Sequence, residues 1–301
     1  MKLKSTFSAP LLFIVSLLLL AASRYIDFDA LAYKENICLA LIVLQLLILI
    51  VPLAFYSKIK GDGYVKRLRF APFGIEKLIA TLLATLTLII GDTLIKMLLY
   101  RTGVIDGAYS VYHYYLSGYD PGVLYSLVTF ALVPTICEEL FFRSVLCAEY
   151  EQSGAATAII ASSLLYAMFG MNFAYLPVYF FAGIIFALVM YMTRSVFASM
   201  LCHLIWAVFE LAAGDTVRTV ITKPQSTGFL IFTLVSALLL CLVVLFGEFE
   251  RIYYNYALAG DKKEGDTQNL KFGIRKFSQA LLAPPFLVAA LLFVAVAFIW
   301  M

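Results

Sequence analysis

Residues 130–146 read FALVPTICEELFFRSVL. They sit inside an apolar stretch of about 124–148, and a bilayer core takes roughly 20 mostly apolar residues per helix. Two adjacent carboxylates and an arginine occupy the middle of that stretch. Eight further stretches of comparable character flank it, at about 7–23, 37–56, 78–100, 154–171, 174–192, 196–213, 227–247 and 280–300. The expected fold is therefore all-α, a polytopic bundle of about eight or nine transmembrane helices. Lys2 and Lys4 precede the first stretch, as in a signal peptide. Arg24-Tyr25-Ile26-Asp27 after it makes a poor small-residue cleavage site, so the reading is a retained helix.

Composition agrees. Of 301 residues, 63% are hydrophobic and 14% charged, and mean hydropathy is +0.95. Soluble domains run at roughly 45–50% apolar and about 25% charged. A water-soluble enzyme, a rod and a disordered chain are excluded. The net charge of +3 is too small for a nucleic-acid binder. The five cysteines, Cys38, Cys137, Cys147, Cys202 and Cys241, lie in or beside apolar runs with no CxxC or His-spaced pattern. They read as small packing residues, not redox or zinc-knuckle groups.

Lys and Arg set the expected orientation. With the N-terminus cytoplasmic, 15 of the 22 fall inside and 5 outside, while Lys96 and Arg143 lie within spans. The C-terminus is then outside. Two cytoplasmic segments follow. Residues 57–77 are basic with interleaved Phe70, Phe73 and Ile75, a composition suited to anionic lipid. Residues 248–279 hold GDKKEGDTQN and read as a polar linker. That gives a bundle over 1–247, with 124–213 as its core, a linker over 248–279, and a last helix over 280–301. The Tyr-rich stretch 109–119, with His113, reads as an outer interfacial belt. No internal repeat marks a transporter of the inverted type.

Charges inside spans are functional candidates by default. Asp92 and Lys96 are four apart and can pair along one helix face. Glu210 lies near the outer end of its span, within reach of interfacial water. On 124–148, adjacent carboxylates point about 100° apart. Arg143 is four residues after Glu139 and can close an ion pair, leaving Glu138 with no helical partner. A carboxylate so placed calls for a wet cavity or a partner from another helix, and suits a general base. Pro134 lacks a backbone N–H and can open the helix before it. His203 is the one histidine inside a span, about 12–14 Å from the Arg194-Ser195 end at 1.5 Å per residue. Glu138 and Glu139 lie at similar depth on the antiparallel helix. Glu138, Glu139 and His203 are the candidate catalytic residues, Arg143 their support, and Glu138 with His203 the candidate metal ligands.

Glu138-Glu139-Leu-Phe-Phe-Arg143, Ser162-Ser163-Leu-Leu-Tyr166-Ala167 and Tyr191-Met-Thr-Arg194-Ser195…His203 together resemble a known family. It is the CAAX protease and bacteriocin-processing family of intramembrane proteases, also called Abi. The resemblance spans about 130–210 and implies a four-helix core. It also implies an endopeptidase site of Glu, His, His and Asn that works with zinc or by direct activation of water. The implied substrate is a prenylated or membrane-associated peptide or a bacteriocin-like leader, and a non-catalytic member would serve as a bacteriocin-immunity factor, a scaffold or a regulatory membrane protein. This chain departs from the pattern twice. The first histidine falls on Gly170, and the asparagine four residues after His203 falls on Ala207. Asn172 is the nearest amide to Gly170. Three functions stay open on the sequence: an intramembrane endopeptidase with a reduced site, a non-catalytic relative that binds a protein partner, and a transporter.

Overall fold

The computed structural model describes residues 5–26, 37–61, 68–105, 121–223, 227–258 and 274–300. His113 and all of 109–119 lie outside the described residues, as do 62–67 and 259–273. The described residues form ten helices and no strand. They are α1 (Ser5–Ser23), α2 (Ile37–Lys60), α3 (Ile75–Arg101), α4 (Val123–Ser153), α5 (Ala155–Phe169), α6 (Leu176–Thr193), α7 (Val196–Thr222), α8 (Thr227–Leu258), α9 (Ile274–Leu281) and α10 (Pro284–Trp300). Six of these, α2, α3, α4, α6, α7 and α8, are long and apolar enough to cross a membrane. The pair α9–α10, bent by 51° at Leu282-Ala283, makes a seventh if it is one broken span. The apolar parts of α1 and α5 are shorter. All nine apolar stretches of the sequence lie on helices, and the protein is an all-α polytopic membrane bundle.

The linker expected over 248–279 is shorter in the structure. Helix α8 runs on to Leu258, and α9 begins at Ile274. The reason is local. Glu248 and Arg251 pair at 2.7 Å along the helix, and Tyr256 packs under Arg194, whose guanidinium carbon is 3.6 Å from the ring centroid. Its hydroxyl donates to the Met192 carbonyl. These contacts hold α8 well beyond its apolar part.

Helix α3 lies at the centre of the bundle, against α6, α7 and α8, while α5 packs along α6 and α1 along α10. Small residues allow the close approaches, as in lipid-embedded helix pairs generally. At Gly183 of α6, a Cβ would lie 2.9 Å from the Ser163 Cα of α5. At Gly91 of α3, it would run into the Phe181 ring of α6.

One end of the bundle is tied by the stretch 68–71. Ser144 of α4 donates to the Leu68 carbonyl at 3.0 Å. The Val196 amide, at the start of α7, donates to the Arg69 carbonyl at 3.1 Å. Ser195 Oγ donates to the Ala71 carbonyl. Arg69 itself reaches Glu151 at 2.8 Å and lies over the Tyr191 ring. These bonds fix the depth at which α4 and α7 face each other, and hence where Glu139 meets His203.

Candidate active site

Helix α7 presents Ser199, His203, Trp206 and Glu210 at spacings of four, three and four, so they share one stripe of the helix. Helix α4 meets that stripe at its paired carboxylates. Glu139 Oε1 is 3.0 Å from His203 Nδ1, and Ser199 Oγ donates to Glu139 Oε2. Arg143 Nε lies 3.5 Å from Glu139 Oε2 along α4 itself. Glu139 and Arg143 are both fully buried. The ion pair expected from their spacing is present, and Glu139 is also bound to a second helix.

This arrangement orients the imidazole. A carboxylate only accepts, so Nδ1 carries the hydrogen in the neutral ring and Nε2 keeps its lone pair. The ring stacks on Phe186, with centroids 4.5 Å apart and an interplanar angle of 18°. Trp206 and Tyr166 flank it with centroids 5.7 and 6.2 Å away. Nε2 faces Glu138, whose Oε2 is 4.0 Å away. Glu138 is the open member of the group, with 16% of its side chain exposed. Glu138, Glu139, Arg143 and His203 therefore form one cluster inside the bundle.

Two partners of Glu138 escape a search of the sequence limited to charges. Gln45 Nε2 of α2 donates to Glu138 Oε1 at 3.2 Å. The Tyr166 hydroxyl of α5 also lies within electrostatic reach of Glu138. Gln45 stands alone as a polar residue in the run 37–56, and that isolation was the available signal. Three stretches of π-helix surround this place, Leu46–Ile50, Val128–Leu132 and Glu139–Leu146. Such insertions recur at functional sites. Here one begins right after Gln45 and another at Glu139.

The two departures from the family pattern have structural counterparts. At Gly170 a Cβ would lie 2.6 and 2.7 Å from two ring atoms of Tyr179, so an aromatic ring occupies the ground beside the backbone. Ala207 is buried and brings only a methyl group. Asn172 does not replace either residue. Its Oδ1 accepts from the Ala174 and Tyr175 amides at 2.9 and 3.3 Å and shapes the turn into α6.

A catalytic zinc takes three protein ligands at about 2.0–2.2 Å and keeps one open position. Glu138 and His203 Nε2 face a common point, but Glu139 is engaged on the far side of the ring, at Nδ1. Among the described residues no group of three His, Cys, Asp or Glu side chains converges on one point. Among the described residues the cluster offers two zinc-ligating side chains where such a site takes three.

Fold and cluster together define a multi-pass membrane protein with a carboxylate–histidine centre within its helices. Residues 120–209 match the model of the Type II CAAX prenyl endopeptidase Rce1-like family. That stretch runs from α4 to the middle of α7 and takes in Glu138, Glu139, Arg143 and His203. No curated protein matches the chain, and no solved structure does.

Proposed function

We propose that this chain is a CAAX-endopeptidase-like membrane protein that holds an apolar, membrane-delivered peptide segment at the Glu138–His203 centre without the family's two-histidine hydrolysis. The observation that carries this reading is the ground at Gly170. The backbone there meets the Tyr179 ring, so an imidazole would have to displace an aromatic side chain. A missing oxyanion donor alone typically costs about 10²–10³ in rate. Here Ala207 removes the amide as well. Binding survives these losses, because Glu138, Gln45 and Tyr166 keep carboxylate, amide and hydroxyl groups at one opening. A prenylated or otherwise lipid-anchored peptide is the class of partner that the family match favours.

One geometric feature favours a second reading, hydrolysis through a reduced site. Glu139 orients His203, and Glu138 stands 4.0 Å from Nε2 with part of its side chain exposed. In that reading Glu138 takes a proton from the attacking water, and the imidazolium form of His203 donates from Nε2 to the developing oxyanion.

Trp206 reports on the site directly, because the chain has only two tryptophans and the other is Trp300. A Trp300→Phe protein in lipid nanodiscs is titrated with a farnesylated C-terminal peptide, and the products are read by mass spectrometry. The expected result is a saturable change in Trp206 fluorescence that Glu138→Leu abolishes, with the peptide intact. Turnover lost in Glu138→Gln would establish the hydrolytic reading instead. Absence of any saturable response would remove the prenylated peptide as the partner.

A further inference from the structure

A second polar centre lies on α7 seven residues beyond His203, roughly 10 Å along the helix. Lys96 Nζ of α3 is 2.8 Å from Asp92 Oδ2 and 2.7 Å from Glu210 Oε2. The side chains of Asp92 and Lys96 are 1% and 4% exposed, and that of Glu210 is 26% exposed. Two carboxylates thus share one ammonium inside a membrane span. Among the described residues, Asp92 Oδ1 and Glu210 Oε1, the carboxylate oxygens turned away from Lys96, have no hydrogen-bond partner.

Among the described residues no other charge balances the excess. The charged groups that act on Asp92 are Lys96 and Glu210. Helix α6, packed on α3, carries no Asp, Glu, Lys, Arg or His, and its titratable side chains are Tyr179 and Tyr191. On α8 the run 227–247 holds only Cys241, and the charges begin at Glu248. On α7 the further charges, Asp215 and Arg218, lie beyond Glu210 and offset each other in sign. His203 is engaged with Glu139. On α3 the remaining charges, Glu76, Lys77 and Arg101, sit at the helix ends.

We propose that Asp92, Lys96 and Glu210 form an intramembrane proton-binding site, in which the two carboxylates hold one proton and Lys96 balances the charge that remains. An isolated buried carboxylate costs several kcal/mol or more and neutralises itself when it can. One proton makes the triad neutral. The proton comes from water at the partly exposed Glu210, and an O–H bond forms on one carboxylate. A carboxylic O–H also supplies a donor that the bare oxygens lack. The site joins α3 to the helix that carries His203, so its occupancy bears on how firmly that stripe is held.

Infrared difference spectroscopy of the protein in lipid at neutral pH tests this. The carbonyl stretch of a protonated carboxyl group is compared between wild type and each variant, so that carboxyls common to both cancel. Asp92→Asn and Glu210→Gln are each expected to remove the same one-carboxyl equivalent, because either leaves a neutral ion pair that needs no proton. Lys96→Met is expected to add one equivalent. The proposal is overturned if either amide variant leaves this region of the spectrum unchanged. Should Lys96→Met fail to fold, the two near-isosteric amide variants decide by themselves, with Trp206 fluorescence as the check on folding.

Discussion

Arg143 is the largest fully buried side chain among the described residues, and its Nε lies 3.5 Å from Glu139 Oε2. Aromatic faces surround the rest. Its carbon lies 4.4 Å from the Tyr166 ring centroid and 5.2 Å from that of Phe186. Desolvated cation–π contacts of this kind are worth about 2 kcal/mol or more. Removing one partner of a buried ion pair typically costs about 3–5 kcal/mol, because the other charge is stranded. Arg143→Leu is therefore expected to destabilise the protein by about that much in thermal unfolding. Adding Glu139→Gln should recover part of the loss, since the stranded charge is gone. Arg143→Lys should rescue poorly, because a compact ammonium cannot cover the same ring faces. Equal stability of Arg143→Leu and wild type would show that the pair is not structural.

Between elements, the decisive contacts are those made by glycine. A Cβ at Gly183 would strike the backbone of α5 at Ser163, and neither helix can yield without the other moving. Gly214, in the later part of α7, has nothing within 4 Å of such an atom. The two positions should behave oppositely. Gly183→Ala is expected to cost about 1–3 kcal/mol, the range for overpacking. Gly214→Ala should be neutral or stabilise by up to about 1 kcal/mol, through helix propensity alone. Melting of the two variants side by side checks the difference. A destabilised Gly214→Ala protein with an unaffected Gly183→Ala would contradict the packing described for α5 and α6. Gly170 belongs with Gly183 in this respect. Its neighbour, though, is the Tyr179 side chain, which is freer to move than a helix backbone.

Apart from the two centres within the spans, charged contacts among the described residues stand at the ends of the bundle. Lys60 pairs with the buried Glu149 at 2.9 Å, and Arg69 and Arg194 lie near the same end of α4 and α7. Arg101 donates to the Lys223 carbonyl at the other end. Gln152 and Val123 stand near opposite ends of α4, and both are exposed. The described cysteines, all five of the chain, are buried, so the background for thiol labelling is low. With the Lys and Arg asymmetry as guide, Gln152→Cys is expected to react with an impermeant maleimide only after the membrane is opened. Val123→Cys should react in intact cells. The reverse pattern would invert the bundle.

The sequence determined the class of the molecule and the chemistry of its α4 helix. Apolar length alone sets which segments form helices, since a backbone in hydrocarbon must satisfy its own hydrogen bonds. Local spacing sets the Glu139–Arg143 and Asp92–Lys96 pairs, because a helix brings residues four apart together whatever surrounds it. Glu138, Glu139 and His203 could be set at one depth by counting residues from the helix ends. Contacts between helices were beyond that reach. Glu210 looked like an interfacial residue, and only the packing of α7 on α3 brings it to Lys96. Gln45 and Tyr166 carry no charge, and nothing local ties them to Glu138. Their role depends on how α2, α4 and α5 are rotated about their axes. The same holds at Gly170. The sequence shows only a glycine there, and the packing of α6 against α5 decides that a tyrosine ring stands beside it.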